Sequence, residues 1–117
     1  MEGNLIRKKS FSFAVRIVKL ASYLNKFKRE HIISKQIIRS GTSIGANIEE
    51  SAGAQSRNDF TSKICIAYKE ARETRYWLEL LRATGYLNNL QAKSLLDDCE
   101  ELLKIMGAIT KTMRTNN

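Results

Sequence analysis

The chain has no proline, one histidine, one tryptophan and two cysteines. Each shortage excludes something. Without proline, no position along the 117 residues forbids a helix from continuing, so long uninterrupted helices are favoured. A lone His31, outside any Glu-x-x-His spacing, leaves too few nitrogen donors for a di-iron centre. Cys65 and Cys99 lie far apart with no CxxC or Cys/His grouping, and they read as reduced packing residues rather than as metal ligands or a disulfide. Long apolar runs are missing as well. Segment 11–27 is broken by Arg16, Lys19 and Lys26, and the charges of the first nine residues have no apolar stretch behind them. Neither a signal peptide nor a membrane span is expected, and the expected location is the cytoplasm. Gly41-Thr42-Ser43-Ile44-Gly45 lacks both the preceding strand and the Gly-Lys-Ser/Thr ending of a phosphate loop. There is no zinc-finger spacing and no RNA-recognition aromatic motif. Glu49 and Glu50 are adjacent, and neighbours on a helix do not face each other, so they make a poor acid/base pair. The reading is of a protein that is not an enzyme, with no cofactor and no metal.

What is present points to a globular helical domain. Apolar residues make up 43% and charged residues 27% of the chain, enough for a single core and too apolar for disorder. Phe13, Ala14, Ile17, Val18, Ala21 and Leu24 recur at helical spacing. So do Leu95, Cys99, Leu102, Met106, Ile109 and Met113. Gly53 and Gly85 read as helix stops in the left-handed conformation, Ser56 or Asn58 as the cap of a third helix, and Asn88 or Asn89 as the cap of a fourth. The spacing predicts helices over about 10–27, 30–52, 58–84 and 89–113. Short connections between them predict an all-α, up-down-up-down antiparallel four-helix bundle, a single domain over 1–117.

The net charge of +8 is one-sided. All of the excess lies before residue 49, in Arg7, Lys8, Lys9, Arg16, Lys19, Lys26, Lys28, Arg29, Lys35 and Arg39 against Glu2 and Glu30. The remainder is balanced. Such asymmetry is an electrostatic footprint for a polyanion. The candidate nucleic-acid contacts are Lys8, Lys9, Arg16, Lys19, Lys26, Lys28, Arg29, Lys35 and Arg39, which would neutralise phosphates without reading sequence. In a ring of subunits the patch would be repeated and strengthened by multivalency.

The second predicted helix carries a polar stripe, Gln36, Ser40, Ser43, Asn47 and Glu50, beside an apolar one, Ile33, Ile37, Gly41, Ile44 and Ile48. Each glycine costs a helix roughly 1 kcal/mol against alanine. Gly41 and Gly45 therefore predict that another backbone comes close. The third helix has a core stripe of Phe60, Ile64, Ala67, Ala71, Thr74, Leu78 and Leu81. A second stripe holds Ile66, Glu70, Glu73, Trp77, Leu80 and Thr84. One core cannot cover both, so Ile66, Trp77 and Leu80 are candidates for a subunit interface. Glu50, Glu70 and Glu73 are expected to form one hydrogen-bonding set, with Ser43, Asn47 and Arg72 or Arg75 as partners.

The stretch Gln36 to Ser51, followed by Ser56, Phe60, Ile66-Ala67, Glu70, Glu73 and Tyr76-Trp77-Leu78, resembles the bacterial four-helix bundle proteins of the 23S rRNA intervening-sequence family, also labelled S23 ribosomal proteins. Ser-Ile-x-Ala-Asn-Ile-x-Glu at Ser43 to Glu50 is the most specific part. Ser51 stands where the family pattern has glycine, and Glu49 where it has alanine. The resemblance implies a homopentamer with a central channel. A more distant likeness, to the accessory variability protein of diversity-generating retroelements, implies a basic ring that binds nucleic acid. The leading expectation is a homo-oligomer associated with RNA or DNA and not with membranes. The alternative is a scaffold for a protein partner, with incidental charge. An enzyme reading rests on Glu50, Glu70 and Glu73 alone.

Overall fold

The computed structural model describes residues 2–115. Its elements are α1 (Glu2–Phe27), α2 (Ile33–Ala52), α3 (Arg57–Ala83) and α4 (Asn89–Thr115). They form an antiparallel four-helix bundle of 47 × 21 × 20 Å. Each helix packs on its neighbours in chain order, and α1 closes the ring against α4. The α2–α3 seam is the tightest and the α1–α4 seam the loosest.

The core follows the apolar stripes. Phe13, Ile17 and Leu24 from α1, Ile37, Ile44 and Ile48 from α2, Ile64, Leu78 and Leu81 from α3, and Leu102 and Met106 from α4 are fully enclosed. Val18 departs from the expected α1 face. It is exposed, and Leu20 is buried in its place. The helix α1 also begins earlier than the charge run suggests. Ile6 is buried, while Arg7 and Lys9 reach outward to Glu49 and Glu101, so the stripe runs through the charges.

Three of the helix ends follow the residues that cap them. At the α3 start the Asp59 N–H donates to Ser56 Oγ at 3.0 Å. At the α4 start Asn88 and Gln91 exchange bonds, Gln91 N–H to Asn88 Oδ1 at 2.8 Å and Asn88 N–H to Gln91 Oε1 at 3.0 Å. Gly85, with φ +83°, ends α3, and the Tyr86 and Gly85 amides return to the Leu81 and Arg82 carbonyls. Gly53 is different. Its φ is −101°, so α2 closes without a left-handed residue, through short bonds from Gly53 and Ala54 to the Glu50 and Ser51 carbonyls.

The small residues of α2 let its neighbours approach. A Cβ on Gly45 would lie 3.3 Å from the Ser10 carbonyl oxygen, the close backbone that the sequence leads one to expect. Gly41 serves another purpose. A Cβ there would lie 2.8 Å from both γ carbons of Ile17, so this glycine makes room for a side chain rather than a backbone. On the α3 side, the Thr74 hydroxyl lies 2.8 Å from Ser40 Oγ and both residues are buried. Cys99 is buried with its thiol on the Ala71 carbonyl, and burial pushes its pKa up to about 12. Cys65 is exposed, and both cysteines are free.

Candidate nucleic-acid interface

The excess of positive charge is concentrated by the way the acids are used. Every acidic side chain that the structure describes is already engaged. Glu49 pairs with Arg7, Glu101 with Lys9, Asp98 with Arg16, Glu50 with Lys63, Glu100 with Arg75, Glu79 with Arg82 and Asp97 with Lys93. Glu70 and Glu73 share Arg39, at 2.7 and 2.5 Å. Glu30 and Asp59 bind backbone amides. These exposed pairs add little stability. Their consequence is electrostatic, since no described carboxylate remains to offset the other cations.

Four of those cations gather at the turn between α1 and α2, and the others are spread over the rest of the bundle. Lys26, Lys28, Arg29 and Lys35 are exposed there and carry no ion pair among the described residues. The chain reverses at Arg29, which adopts a left-handed φ of 53°. That places Glu30 under the start of α2. Its carboxylate accepts the Ile32, Ile33 and Ser34 amides at 3.2, 3.0 and 2.8 Å. Glu30 is thus only 7% exposed, and the acid within this basic turn faces inward. Asn25 completes the frame. Its amide donates to the Ala21 carbonyl, while its Oδ1 lies 2.6 Å from His31 Nδ1 and accepts from Ser34 Oγ at 3.4 Å. A hydrogen-bonded turn therefore carries the four charges on its outer side. Phe27 and Ile32, 75% and 78% exposed, stand among them.

Beside the turn, the loose α1–α4 seam opens a groove of about 460 Å³. Leu20, Tyr23, Leu87 and Leu90 give it an apolar lining, and Arg16 and Lys19 a basic one. The Tyr23 ring lies 5.8 Å from the Phe27 ring, centroid to centroid, so groove and turn form one surface.

The nine cations named from the sequence therefore divide. Lys26, Lys28, Arg29 and Lys35 gather at the turn, and Lys19 lines the adjoining groove. Lys8 lies toward the other end of α1. Lys9, Arg16 and Arg39 hold carboxylates. The expected single set of carboxylates also divides. Glu70 and Glu73 meet at Arg39, and Glu50 stands apart on Lys63, because it lies about three helical turns further along α2, where antiparallel α3 presents its first turns. Arg75 serves Glu100 instead, and Arg72 makes no ion pair among the described residues. Asn47 bonds within α2 to Ser43, and Gln36 is exposed. Trp77 is half-buried, and its indole N–H donates to Glu73 at 2.9 Å. That bond, with Arg39 behind it, holds the Glu73 carboxyl below the usual carboxylate range against the opposing effect of burial. Ile66 is exposed and Leu80 half-buried. Phe27, Ile32, Tyr23 and Leu90 escape a charge-based reading. The signal for Phe27 was present all the same, as an aromatic within the basic run Lys26-Phe27-Lys28-Arg29.

No group of three or more metal-binding side chains occurs among the described residues. No described helix is long and apolar enough to cross a membrane.

The comparisons with known proteins agree with this architecture. No curated protein matches the chain significantly. A solved structure from Bacteroides thetaiotaomicron, a protein with unknown function from the S23 ribosomal protein family, is 51% identical. The match covers 95% of this chain and 99% of that one, with a TM-score of 0.94. The model of the 23S rRNA-intervening sequence protein family matches residues 2–108. Fold, identity and coverage together place the chain: it belongs to the 23S rRNA-intervening sequence protein family.

Proposed function

We propose that this protein is a non-enzymatic, self-associating protein that binds nucleic acid through the α1–α2 turn. One observation carries the reading: every described carboxylate is engaged, while Lys26, Lys28, Arg29 and Lys35 are held outward together. A surface with unpaired charge of one sign attracts polyanions, and phosphates release counterions when they meet it.

Self-association is supported by apolar side chains the bundle leaves outside. Phe11, Val15 and Val18 recur along the outer face of α1, and Ile66 and Tyr76 lie on α3. A homopentamer, as the family resemblance implies, would present five basic turns to one ligand and multiply a modest affinity. Trp77 and Leu80 would flank such an interface rather than lead it, since both are half-buried within the subunit.

The test is binding of a labelled RNA hairpin and a DNA duplex across a salt series, with mass measured by light scattering. The expected result is binding by an oligomer whose logarithmic affinity for the duplex falls with log salt at a slope of roughly −3.5 to −4.5 for each turn engaged, from four or five phosphate contacts per subunit. Absence of binding at low salt would overturn the reading and favour a scaffold for a protein partner.

A further inference from the structure

We infer that the basic turn selects unpaired nucleotides, so that its ligand is single-stranded nucleic acid rather than duplex. The inference rests on the proposed nucleic-acid reading and adds the form of the ligand.

Charge alone would serve any phosphate backbone. The turn offers more than charge. Phe27 is 75% exposed within the basic run, and its ring is braced by Tyr23. Bracing fixes one side of the platform and leaves the other side for a planar partner. The groove continues this surface with Tyr23 and Leu90, the latter 80% exposed, beside the cation Lys19, and Lys26 follows Tyr23 by one turn of α1. An apolar floor flanked by cations matches a strand whose bases are unstacked and whose phosphates run alongside. Single-strand binders combine such parts, because every base has a face that stacks on an aromatic ring. A duplex keeps its bases stacked inside and presents only phosphates, so it would leave Phe27 and Leu90 uncovered. The charge of the surface argues for nucleic acid over an apolar protein segment. Lys19, Lys26, Lys28, Arg29 and Lys35 face outward without described carboxylate partners, Asp98 is taken up by Arg16, and the acid of the turn itself, Glu30, is turned inward onto the α2 amides.

The test compares a labelled twelve-nucleotide single-stranded RNA with the same sequence in a duplex, at one salt concentration and then along a salt series. The proteins are the wild type and the Phe27→Ala/Leu90→Ala variant, with mass followed by light scattering. Wild type is expected to prefer the single strand. The variant is expected to lose about tenfold or more on the single strand, the weight of one base–aromatic stack, with duplex affinity, salt slope and mass unchanged. Equal binding of both forms by the wild type would overturn the selectivity and leave the nucleic-acid reading standing. Salt-independent binding, or none, would overturn both. A variant whose mass falls would also overturn the inference, because Phe27 and Leu90 would then belong to a subunit interface.

Discussion

Gly41→Ala destabilises the protein by about 1–3 kcal/mol, while the same change at Gly107 stabilises it by about 0.5–1 kcal/mol. In an open helix, alanine for glycine is a gain. At Gly107 the gain is available, because an added Cβ meets only Tyr68 Cε2, at 3.8 Å, an ordinary contact. At Gly41 it would sit 2.8 Å from two carbons of Ile17. Ile17 is fully buried and branched at Cβ, so it has no free rotamer by which to turn aside. The overlap must push α1 from α2. Urea denaturation followed by helix ellipticity gives both signs. A double-mutant cycle with Ile17→Ala then assigns the cause. Ile17→Ala alone costs about 2–4 kcal/mol, and considerably less in the Gly41→Ala background, where the new methyl fills part of the space. Additive losses would show that Gly41 is sensitive for another reason.

Glu30→Ala is expected to cost about 2–3 kcal/mol, or roughly 10 °C in Tm for a chain of this size. The loss is large for a single loop residue because one carboxylate serves the three amides at the α2 start, and Ser34 is buried, so its amide cannot simply turn to solvent. The functional consequence separates two accounts of the charge. The variant gains one unit of positive charge. If bulk charge governed binding, RNA affinity would rise. If the turn must be preformed, affinity falls, measured well below the melting transition, because Lys28, Arg29 and Lys35 no longer hold one arrangement.

The helices were legible because their signals are local. The α4 seam from Leu95 to Met106, the left-handed stop at Gly85 and the caps at Ser56 and Asn88 each lie within a few residues of what they control. The α2 start was not legible in the same way. Glu30 looks like a first helical residue, and it becomes a cap only because Arg29 takes a left-handed conformation that non-glycine residues seldom adopt. Gly53 looks like Gly85, yet only one of them adopts positive φ. The site was half legible. Its cations could be counted, but their availability depended on partners remote in sequence, such as Glu101 for Lys9 and Asp98 for Arg16. Phe27 becomes informative only when its exposure is known, since the same residue on an enclosed face would be core.

If the position of the charge, rather than its amount, governs binding, two variants of equal net charge differ in affinity. One replaces Lys26, Lys28, Arg29 and Lys35 with glutamine. The other replaces Arg57, Lys104, Lys111 and Arg114, which are also exposed and without ion pairs among the described residues but lie toward the other end of α3 and α4. Affinity for a labelled single-stranded RNA is measured for each along a salt series. The turn variant is expected to lose most of its binding, with the salt slope flattened by about 3 for each turn engaged. The distal variant should keep a slope close to that of the wild type. Equal losses in the two variants would show that the protein binds by overall charge alone and that the turn is not the site.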